Sequence, residues 1–437
     1  MKPCDNLQDA PERFKFSIVN EIPYVIVIAI LLPSVLSCRQ GGRGSSGDST
    51  FSTAKLAESI HLDSITSINK YIMKQTLVLL LIVSLCSCNK NDSPSRGGST
   101  SDSTGGTQTG STASYSSLIP YQNFYPNPTS IFTLAGAIAS KYILVGEFNP
   151  TTRAYGDSAA IFDTTTQSWS GIKLSANHYY GCSATAASKV LFAGGFGDQG
   201  TVATAVVDIF NGTSGQWANG NLSVARFAMG TASLGDTLAF AGGSNNGNVF
   251  NTVDFYDAST GTWSIGELSS TRFDIAGASG GTKMIFAGGY DQNGNVSSVI
   301  DLYDVQTKEW TTASLGTART EAVAAGADGK IIVAGGYDNN FNQVNALDVY
   351  DTKTGKWTTG ALPAPEAYGC AIPVGNLILL PRSTDTIDIY NADNGAWSYI
   401  LQSQSAYLSS GAVSGNLIMF SGSYGANLSI SEFYHAQ

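Results

Sequence analysis

The sequence predicts an all-β protein in which four-stranded units close into a ring, a β-propeller of seven blades. Three observations predict this fold: the composition, a motif that recurs along the chain, and the number of copies of one strand within that motif. Only 13% of the residues are charged, whereas the chain has 48 glycines and 10% aromatic residues. Strands favour aromatic residues and turns favour glycine, so this balance argues against long helices.

The recurring motif combines a double glycine, a strand that ends in an aromatic residue, and a Trp. One copy contains Gly288-Gly289, then the strand that ends at Tyr303, and then Trp310. The clearest copies have their double glycine at positions 194–195, 242–243, 288–289 and 335–336. The outer copies replace it with Gly146-Glu147, Pro381-Arg382 and Ser421-Gly422. This pattern resembles the kelch repeat, and the resemblance implies a kelch-type propeller with four antiparallel strands in each blade.

Two features of the motif have a physical explanation in a propeller. Glycine at the end of an inner strand lets backbones approach each other where a Cβ atom would clash. The aromatic residue and the Trp recur in every clear copy, which favours packing between blades over a ligand platform.

The number of blades follows from the strand that ends in an aromatic residue. This residue occurs seven times, at Phe162, Phe210, Tyr256, Tyr303, Tyr350, Tyr390 and Tyr434. Trp occurs only six times, because the seventh unit has no fourth strand of its own. We expect a strand from about residues 115–124 to complete this last blade and close the ring. A six-bladed ring is the alternative.

The charge of the chain bears on its partners. There are 23 Lys and Arg against 33 Asp and Glu, a net charge of −10, and the acidic excess lies in the repeats. Binding to nucleic acid normally requires a basic face that neutralises phosphates. We therefore expect no nucleic-acid partner.

The first 117 residues are interpreted as an address that precedes the propeller of residues 118–437. Met73 and Lys74 are followed by a short apolar run that ends in Leu85-Cys86-Ser87-Cys88, which resembles a bacterial lipobox. The resemblance implies a lipoprotein signal over residues 73–88 and an acylated Cys88, which would be the only membrane contact. Residues 89–117 are rich in Ser, Thr and Gly and predict a flexible tether. The expected location is the cell envelope, as an exported outer-membrane lipoprotein.

A second apolar run, residues 22–36, ends in a poorer lipobox at Cys38. We interpret residues 1–72 as an upstream extension that is not part of the mature protein. The alternative is that residues 22–36 are a genuine signal or membrane anchor.

Two further cysteines, Cys182 and Cys370, lie in equivalent strands of blades that are not neighbours. A disulfide requires Cα atoms within about 7 Å, so we expect both to be small buried residues without a disulfide. The repeats contain only two histidines, His178 and His435. Two histidines are too few for the copper site of galactose-oxidase-type propellers or for a zinc site, so we expect no metal and no cofactor.

One set of polar residues is predicted to gather on a single face. Each member lies four residues after the last apolar residue of an outer strand: His178, Arg226, Arg272, Arg319 and Glu366. The loops between second and third strands emerge on the same face and carry Tyr290, Asp291, Tyr337 and Asp338. Such a face would form a polar pocket for a glycan or an acidic peptide. The structural alternative is that each Arg pairs with a carboxylate and caps backbone carbonyls.

The expected function is that of an exported, lipid-anchored monomer. It would bind a protein or a carbohydrate through this loop face and would not be an enzyme. The alternative is a sugar-active enzyme that uses the same face, such as one similar to a sialic acid epimerase, because kelch-like propellers include enzymes.

Overall fold

The computed structural model describes residues 119–123, 131–149, 152, 154–197, 202–382, 385–402, 405–424 and 428–435. The expected upstream extension, lipoprotein signal, Cys88 and tether lie outside these residues and stay predictions.

The described residues form strands and no helix, as the composition predicted. In chain order the strands are β1 (Ile119–Asn123), β2 (Ile131–Ile138), β3 (Lys141–Asn149), β4 (Ala154–Gly156), β5 (Ser158–Asp163), β6 (Ser168–Lys173), β7 (Cys182–Ala186), β8 (Lys189–Ala193), β9 (Val206–Asn211), β10 (Gln216–Asn221), β11 (Gly230–Leu234), β12 (Thr237–Ala241), β13 (Ser244–Asn245), β14 (Asn248–Val249), β15 (Thr252–Asp257), β16 (Thr262–Glu267), β17 (Ala276–Gly280), β18 (Lys283–Ala287), β19 (Val299–Asp304), β20 (Trp310–Ser314), β21 (Val323–Ala327), β22 (Lys330–Ala334), β23 (Ala346–Asp351), β24 (Lys356–Ala361), β25 (Ile372–Val374), β26 (Leu377–Pro381), β27 (Thr386–Asn391), β28 (Trp397–Leu401), β29 (Tyr407–Ser414), β30 (Leu417–Tyr424) and β31 (Leu428–His435).

These strands form seven antiparallel blades, numbered 1 to 7 along the chain. Their strand orders are β2-β3-β5-β6, β7-β8-β9-β10, β11-β12-β15-β16, β17-β18-β19-β20, β21-β22-β23-β24, β25-β26-β27-β28 and β29-β30-β31-β1. Strand β4 adds to blade 1, and β13 pairs with β14 in the loop of blade 3. The first strands of neighbouring blades contact one another, including β29 of blade 7 and β2 of blade 1, so the ring is closed. The seven-bladed prediction is confirmed.

The N-terminal strand completes the last blade, as expected. Strand β1 pairs antiparallel with β31, and Pro120 lies opposite Tyr434. Blade 7 therefore contains three strands from the C-terminal end of the chain and one from before blade 1. This arrangement leaves no blade with a missing strand and protects an edge that would otherwise be unpaired.

The core lies between adjacent blades. Ile300 in the third strand of blade 4 belongs to one apolar cluster with Val333 and Tyr350 of blade 5. The Tyr350 ring lies 5.0 Å from the Trp357 ring on the adjacent outer strand. The aromatic residue and the Trp of the motif therefore pack within and between blades, as the sequence predicted.

The double glycine connects each blade to the next. Gly288 and Gly289 both have positive φ, 69° and 90°. The Gly289 N–H donates to the Arg319 carbonyl, 3.0 Å away in the linker to blade 5. A Cβ on Gly288 would overlap that same carbonyl oxygen, and one on Gly289 would overlap the carbonyl oxygen of Phe273. The expected close approach is confirmed, and its partners are the linkers that enter two consecutive blades.

Blade 7 differs from the others in one buried row. Ser410 lies opposite Ser421, and Ser421 lies opposite Ser431, so the three side chains cross the sheet on one face. All three residues are buried, and their hydroxyl groups have no hydrogen-bond partner among the described residues. The corresponding row in blade 4 is Ala276, Ala287 and Ile300. The ring therefore closes on a blade with a polar row where blade 4 is apolar.

The first strands of all seven blades line a central channel of about 400 Å³. Its walls consist mostly of Ala, Gly, Ser and Thr, for example Gly277, Ala278 and Ser279 of blade 4. Hydroxyl groups in these strands join neighbouring blades: Ser183 Oγ donates to the Ala135 carbonyl at 2.9 Å. Small side chains are what seven converging strands can accommodate at the axis.

Neither Cys182 nor Cys370 forms a disulfide, as expected. Cys182 is buried and its thiol donates to the Met229 carbonyl at 3.0 Å, whereas Cys370 is half-buried. Burial raises the pKa of both thiols to about 12, so both are poor nucleophiles at neutral pH.

Candidate functional site

We define the loop face as the side that carries the loops between second and third strands and the linkers between blades. In each of the linkers that enter blades 2 to 5, an arginine or histidine side chain points into the blade that the linker enters. It meets an acidic residue of the third strand: His178 with Asp208, Arg226 with Asp254, Arg272 with Asp301, and Arg319 with Asp348. His178 and the three arginines have 0% exposure.

Arg272 shows how such a side chain is engaged through its two terminal nitrogens, while its buried Nε has no hydrogen-bond partner among the described residues. One of its terminal nitrogens donates to the Gly288 carbonyl at 2.6 Å and to the Val299 carbonyl at 3.0 Å. The other donates to Asp301 and to the Phe286 carbonyl. Burial lowers the pKa of Arg272, and the Asp301 carboxylate opposes this effect. The guanidinium thus caps backbone groups at the ends of two strands and neutralises a buried carboxylate.

His178 occupies the equivalent place in blade 2. Its Nδ1 lies 2.8 Å from the Gly194 carbonyl and its Nε2 lies 2.9 Å from Asp208. Both ring nitrogens therefore have a partner inside the blade.

In blade 6 the buried aspartate of the third strand also has a cationic partner, but the linker does not supply it. The linker position carries Glu366, which is 7% exposed. The carboxylate of Asp388 instead accepts from Arg382 Nε at 2.8 Å and from the Tyr368 hydroxyl at 2.7 Å. Arg382 stands where blades 2 to 5 have their first glycine, because its N–H, like that of Gly288, donates to the first residue of the third strand. The cation therefore comes from the end of the second strand.

The geometry of His178, Arg226, Arg272 and Arg319 fits the structural alternative of the sequence analysis. The sequence placed them around the channel mouth, whereas the structure places their side chains inside the blades. Their partners, the acidic residues two positions before each aromatic anchor, are a regular part of the motif. That regularity is the sequence signal that could have identified these pairs.

The loop residues have different environments. Tyr290 is buried at 2% exposure, and Tyr337, Asp291 and Asp338 are half-buried. The Asp291 carboxylate accepts backbone N–H groups of Asn293 and Asn295, both at 2.8 Å. The Asp338 carboxylate accepts the equivalent groups of its own loop. These Asx turns account for the recurring Asp and Asn residues of the loops without a bound cation.

Neighbouring loops are tied together on the loop face. Gln292 in blade 4 accepts from the Val249 N–H at 2.9 Å and donates to the Gly247 carbonyl at 3.0 Å in blade 3. Asn339 in blade 5 accepts from the Val296 N–H of blade 4 at 3.0 Å. The loops of blades 3, 4 and 5 therefore form a continuous rim.

A ring of residues that the sequence analysis did not identify stands at the channel mouth. We call Tyr180, Ala228, Asp274 and Glu321 the mouth ring; each lies two residues after the buried His or Arg, just before a channel-lining strand. All four have positive φ, between 49° and 58°. The Ala228 N–H donates to the Tyr180 carbonyl at 3.0 Å, and the Asp274 N–H donates to the Ala228 carbonyl at 2.9 Å. Non-glycine residues in this strained region are concentrated at functional sites.

The side chains of the mouth ring act on one another across the channel. Desolvation and then the carboxylates of Asp274 and Glu321 raise the pKa of Tyr180 to about 12. Tyr407 at the start of β29 is affected in the same direction, by desolvation first and then by Glu321. Tyr180, Asp274 and Glu321 each precede a channel-lining strand and Tyr407 begins one, so residues from blades 2, 4, 5 and 7 stand around one acidic, tyrosine-rich opening.

An aromatic ribbon continues from the mouth ring over blades 1 to 3. It consists of six rings in sequence of contact: Tyr155, Phe148, Tyr179, Tyr180, Phe196 and Phe227. The closest pair, Phe196 and Phe227, is stacked with ring centroids 4.4 Å apart. Tyr180 joins the ribbon to the mouth and is 48% exposed. Aromatic side chains with one exposed side are the residues that most often anchor a ligand.

The comparisons with known proteins agree with this architecture. A family model for the Kelch motif matches residues 318–361. This stretch covers Arg319, the double glycine at 335–336, Tyr350 and Trp357. The chain is a seven-bladed β-propeller with a kelch motif. A search of curated proteins found no match.

Two absences hold for the described part of this propeller. No three His, Cys, Asp or Glu side chains come together there in a group that could hold a metal ion. The same residues include no apolar helix long enough to cross a membrane.

Proposed function

We propose that the kelch propeller is a binding module that holds a protein or carbohydrate ligand on its loop face. Propellers of the kelch type commonly bind proteins, which favours a protein. The observation that carries the proposal is the exposed Tyr180, because it joins a mouth with residues from four blades to a ribbon of six aromatic rings. The ribbon is also suited to stacking against sugar rings, so a glycan is the second candidate ligand.

We further propose that the loop face binds its ligand without catalysing a reaction. The one described histidine on the loop face, His178, has both ring nitrogens engaged inside blade 2. The three linker arginines are equally enclosed. A general base or an oxyanion donor must reach the reacting atoms, and these groups are held away from solvent.

The test uses the full chain in detergent on arrays of glycans and of peptides. We expect hits whose affinity falls at least about tenfold in Tyr180→Ala with an unchanged melting temperature, because the variant removes an exposed contact and no core packing. Tyr399→Ala is the matched control, since Tyr399 is 68% exposed on the outer strand of blade 6. Affinity that falls in the control and not in Tyr180→Ala, or arrays without a hit, would contradict binding through the loop face. Turnover of any bound glycan would contradict the absence of catalysis.

We also propose that the protein is exported and anchored to the bacterial envelope by an acyl chain on Cys88. The supporting observation is the order of charged residues, apolar run and Leu85-Cys86-Ser87-Cys88. Intact-mass and N-terminal analysis of the natural protein is the test. We expect a chain that starts at an acylated Cys88 and no acylation in Cys88→Ser, while Cys86→Ser is unaffected. A mature chain that starts at any other residue would contradict the anchor.

A further inference from the structure

We propose that the channel mouth receives a Lys or Arg side chain from a basic, extended segment of a partner protein. This inference rests on the proposed binding function of the loop face and specifies the chemistry of its ligand. It reverses the charge of the peptide that the sequence alone suggested.

The linker cations are unavailable to an anionic ligand. Arg226, Arg272 and Arg319 are fully buried and paired with aspartates inside their own blades. Arg382 has 23% of its side chain exposed and is paired with Asp388. Recognition of a carboxylate or phosphate by arginine requires the fork of donors to point at the ligand. In this propeller the terminal nitrogens of the three linker arginines point at backbone carbonyls and aspartates, and their Nε atoms are buried.

The groups that do stand at the mouth are carboxylates and phenol rings. Asp274 and Glu321 belong to the mouth ring, and both contribute to the raised pKa of Tyr180 and of Tyr290. Glu321 and Glu366 contribute in the same way at Tyr407. Negative potential from three linkers thus converges on the tyrosines, and a positive charge placed among them would be stabilised.

The exposed rings add a preference for a cation. Tyr180 and Tyr407 are 48% and 43% exposed, and they stand at the mouth on blades 2 and 7. The face of a tyrosine attracts an ammonium or guanidinium group, and a nearby carboxylate can accept its hydrogen bonds. Beneath them the channel, with its Ala and Gly walls and a volume of about 400 Å³, has room for an unbranched side chain.

The surroundings of the mouth indicate a segment of protein and not a small free cation. The aromatic ribbon extends from Tyr180 away from the mouth to Tyr155 on one side and to Phe227 on the other. On the other side of the mouth, the tied loops of blades 3 to 5 form the rim. A chain that carries a basic side chain into the mouth would lay its neighbouring residues over these rings.

The experiment compares three synthetic peptides of equal length, built from Gly and Ser with Arg and Lys, with Glu, or with Gln at alternating positions. Binding to the full chain is measured by fluorescence anisotropy at low and at physiological salt. We expect the basic peptide to bind at least about tenfold more tightly than the other two, with an affinity that falls as salt rises. The double variant Asp274→Asn/Glu321→Gln should lose about tenfold or more of this affinity, because it removes charge and keeps side-chain size.

Asp236→Asn is the matched control, since Asp236 is exposed in the hairpin between β11 and β12 on the opposite face. An unchanged affinity in the double variant, or an equal loss in the control, would overturn the inference. So would tighter binding of the Glu or Gln peptide. The glycan and peptide arrays distinguish a failure of this inference from a failure of the proposed binding function. Acidic, neutral or glycan hits that depend on Tyr180 would leave binding by the loop face in place and refute only the cationic ligand.

Discussion

Arg382 donates from Nε to Asp388 at 2.8 Å, and this pair replaces in blade 6 the ion pair that blades 3 to 5 build from a linker arginine. Two departures from the motif, Glu366 in the linker and Arg382 at the first glycine, are therefore one compensated change. In blades 3 to 6 the buried carboxylate of the third strand has a cationic partner, supplied either by the linker or by the end of the second strand. Removing one partner of a buried pair leaves a charge without compensation, which is far more costly than never having had the pair.

Arg272→Ala should lower the free energy of unfolding by about 3–5 kcal/mol, because Asp301 and three backbone carbonyls lose their donor inside the blade. Urea denaturation followed by tryptophan fluorescence measures the change. Lys308→Ala, in the exposed hairpin between β19 and β20, should change it by less than about 0.5 kcal/mol. Unchanged unfolding together with lost ligand binding would instead assign Arg272 to a ligand site.

Gly336→Ala should destabilise the propeller far more than Gly375→Ala. Both glycines have positive φ, 99° and 60°. A Cβ on Gly336 would overlap the Thr320 carbonyl oxygen, whereas one on Gly375 meets nothing within 4 Å. The control therefore isolates the backbone strain, about 1–2 kcal/mol, from the clash with the linker. Similar melting temperatures for the two variants would show that the double glycine does not hold neighbouring blades in register.

Ser421→Ala should stabilise the protein by about 1 kcal/mol, because it removes a buried hydroxyl group without a described partner. Blade 4 has Ala287 at the same place in the row, so the smaller side chain suits the sheet. Thermal unfolding of the variant and of the conservative Ser421→Cys gives the comparison. A loss of stability in Ser421→Ala would mean that an ordered water satisfies the serine row.

Tyr142 should make the protein sensitive to alkaline pH. Desolvation raises the pKa of its phenol from 10.0 to about 12. The folded state thus binds the phenol proton more tightly than the unfolded state does. The resulting stabilisation of the folded state is complete below pH 10 and is lost as pH rises through about 12. Tyr142 joins blade 1 to blade 7 by accepting from the Ser414 N–H at 3.1 Å. Tyr142→Phe should lower stability at pH 7 by about 1 kcal/mol and flatten its decline above pH 10. The exposed control Tyr399→Phe should leave both unchanged; an unaltered pH profile in Tyr142→Phe would refute the assignment.

Removal of residues 428–437 should abolish cooperative unfolding, because it deletes β31, leaves β1 without a partner strand and exposes one edge of β30. Deletion of only residues 436 and 437, which follow β31, is the control. Circular dichroism during thermal unfolding distinguishes a single sharp transition from a broad one. A sharp transition at the original temperature in the longer deletion would show that the ring does not depend on its last strand.

The sequence allowed the fold to be predicted in some detail because each blade repeats the same solution to the same packing problem. Seven copies of the aromatic anchor gave the blade count, and the missing seventh Trp gave the strand exchange between β1 and β31. Gly288 and Gly289 were predicted to permit a close approach, and the structure adds that the approaching atoms are linker carbonyls. Such features recur because they are structural.

The candidate site was harder to predict for the same reason. Arg226, Arg272 and Arg319 attracted attention because they recur, yet recurrence in consecutive blades is typical of residues that hold each blade together. The linker turns sharply two residues later, at Ala228, Asp274 and Glu321. Spacing along the chain fixes which residues lie near this turn, but not which of their side chains enter the blade. The mouth-ring position is occupied by Tyr, Ala, Asp or Glu, in each case two residues after the buried His or Arg. Such variation close to a residue that recurs from blade to blade is the sequence signal that could have identified the mouth ring.

The pairing of β1 with β31 has a consequence for the order of events in synthesis. Strand β1 is made before blades 1 to 6 and its partner β31 is made after them, so β1 has no partner strand while these six blades are synthesised. Until then the nascent ring has an open edge at each end, and its blades can form only as an unclosed arc. Closure of the ring is thus the last step of its assembly, and any factor that guards exposed strand edges would act before β31 is in place.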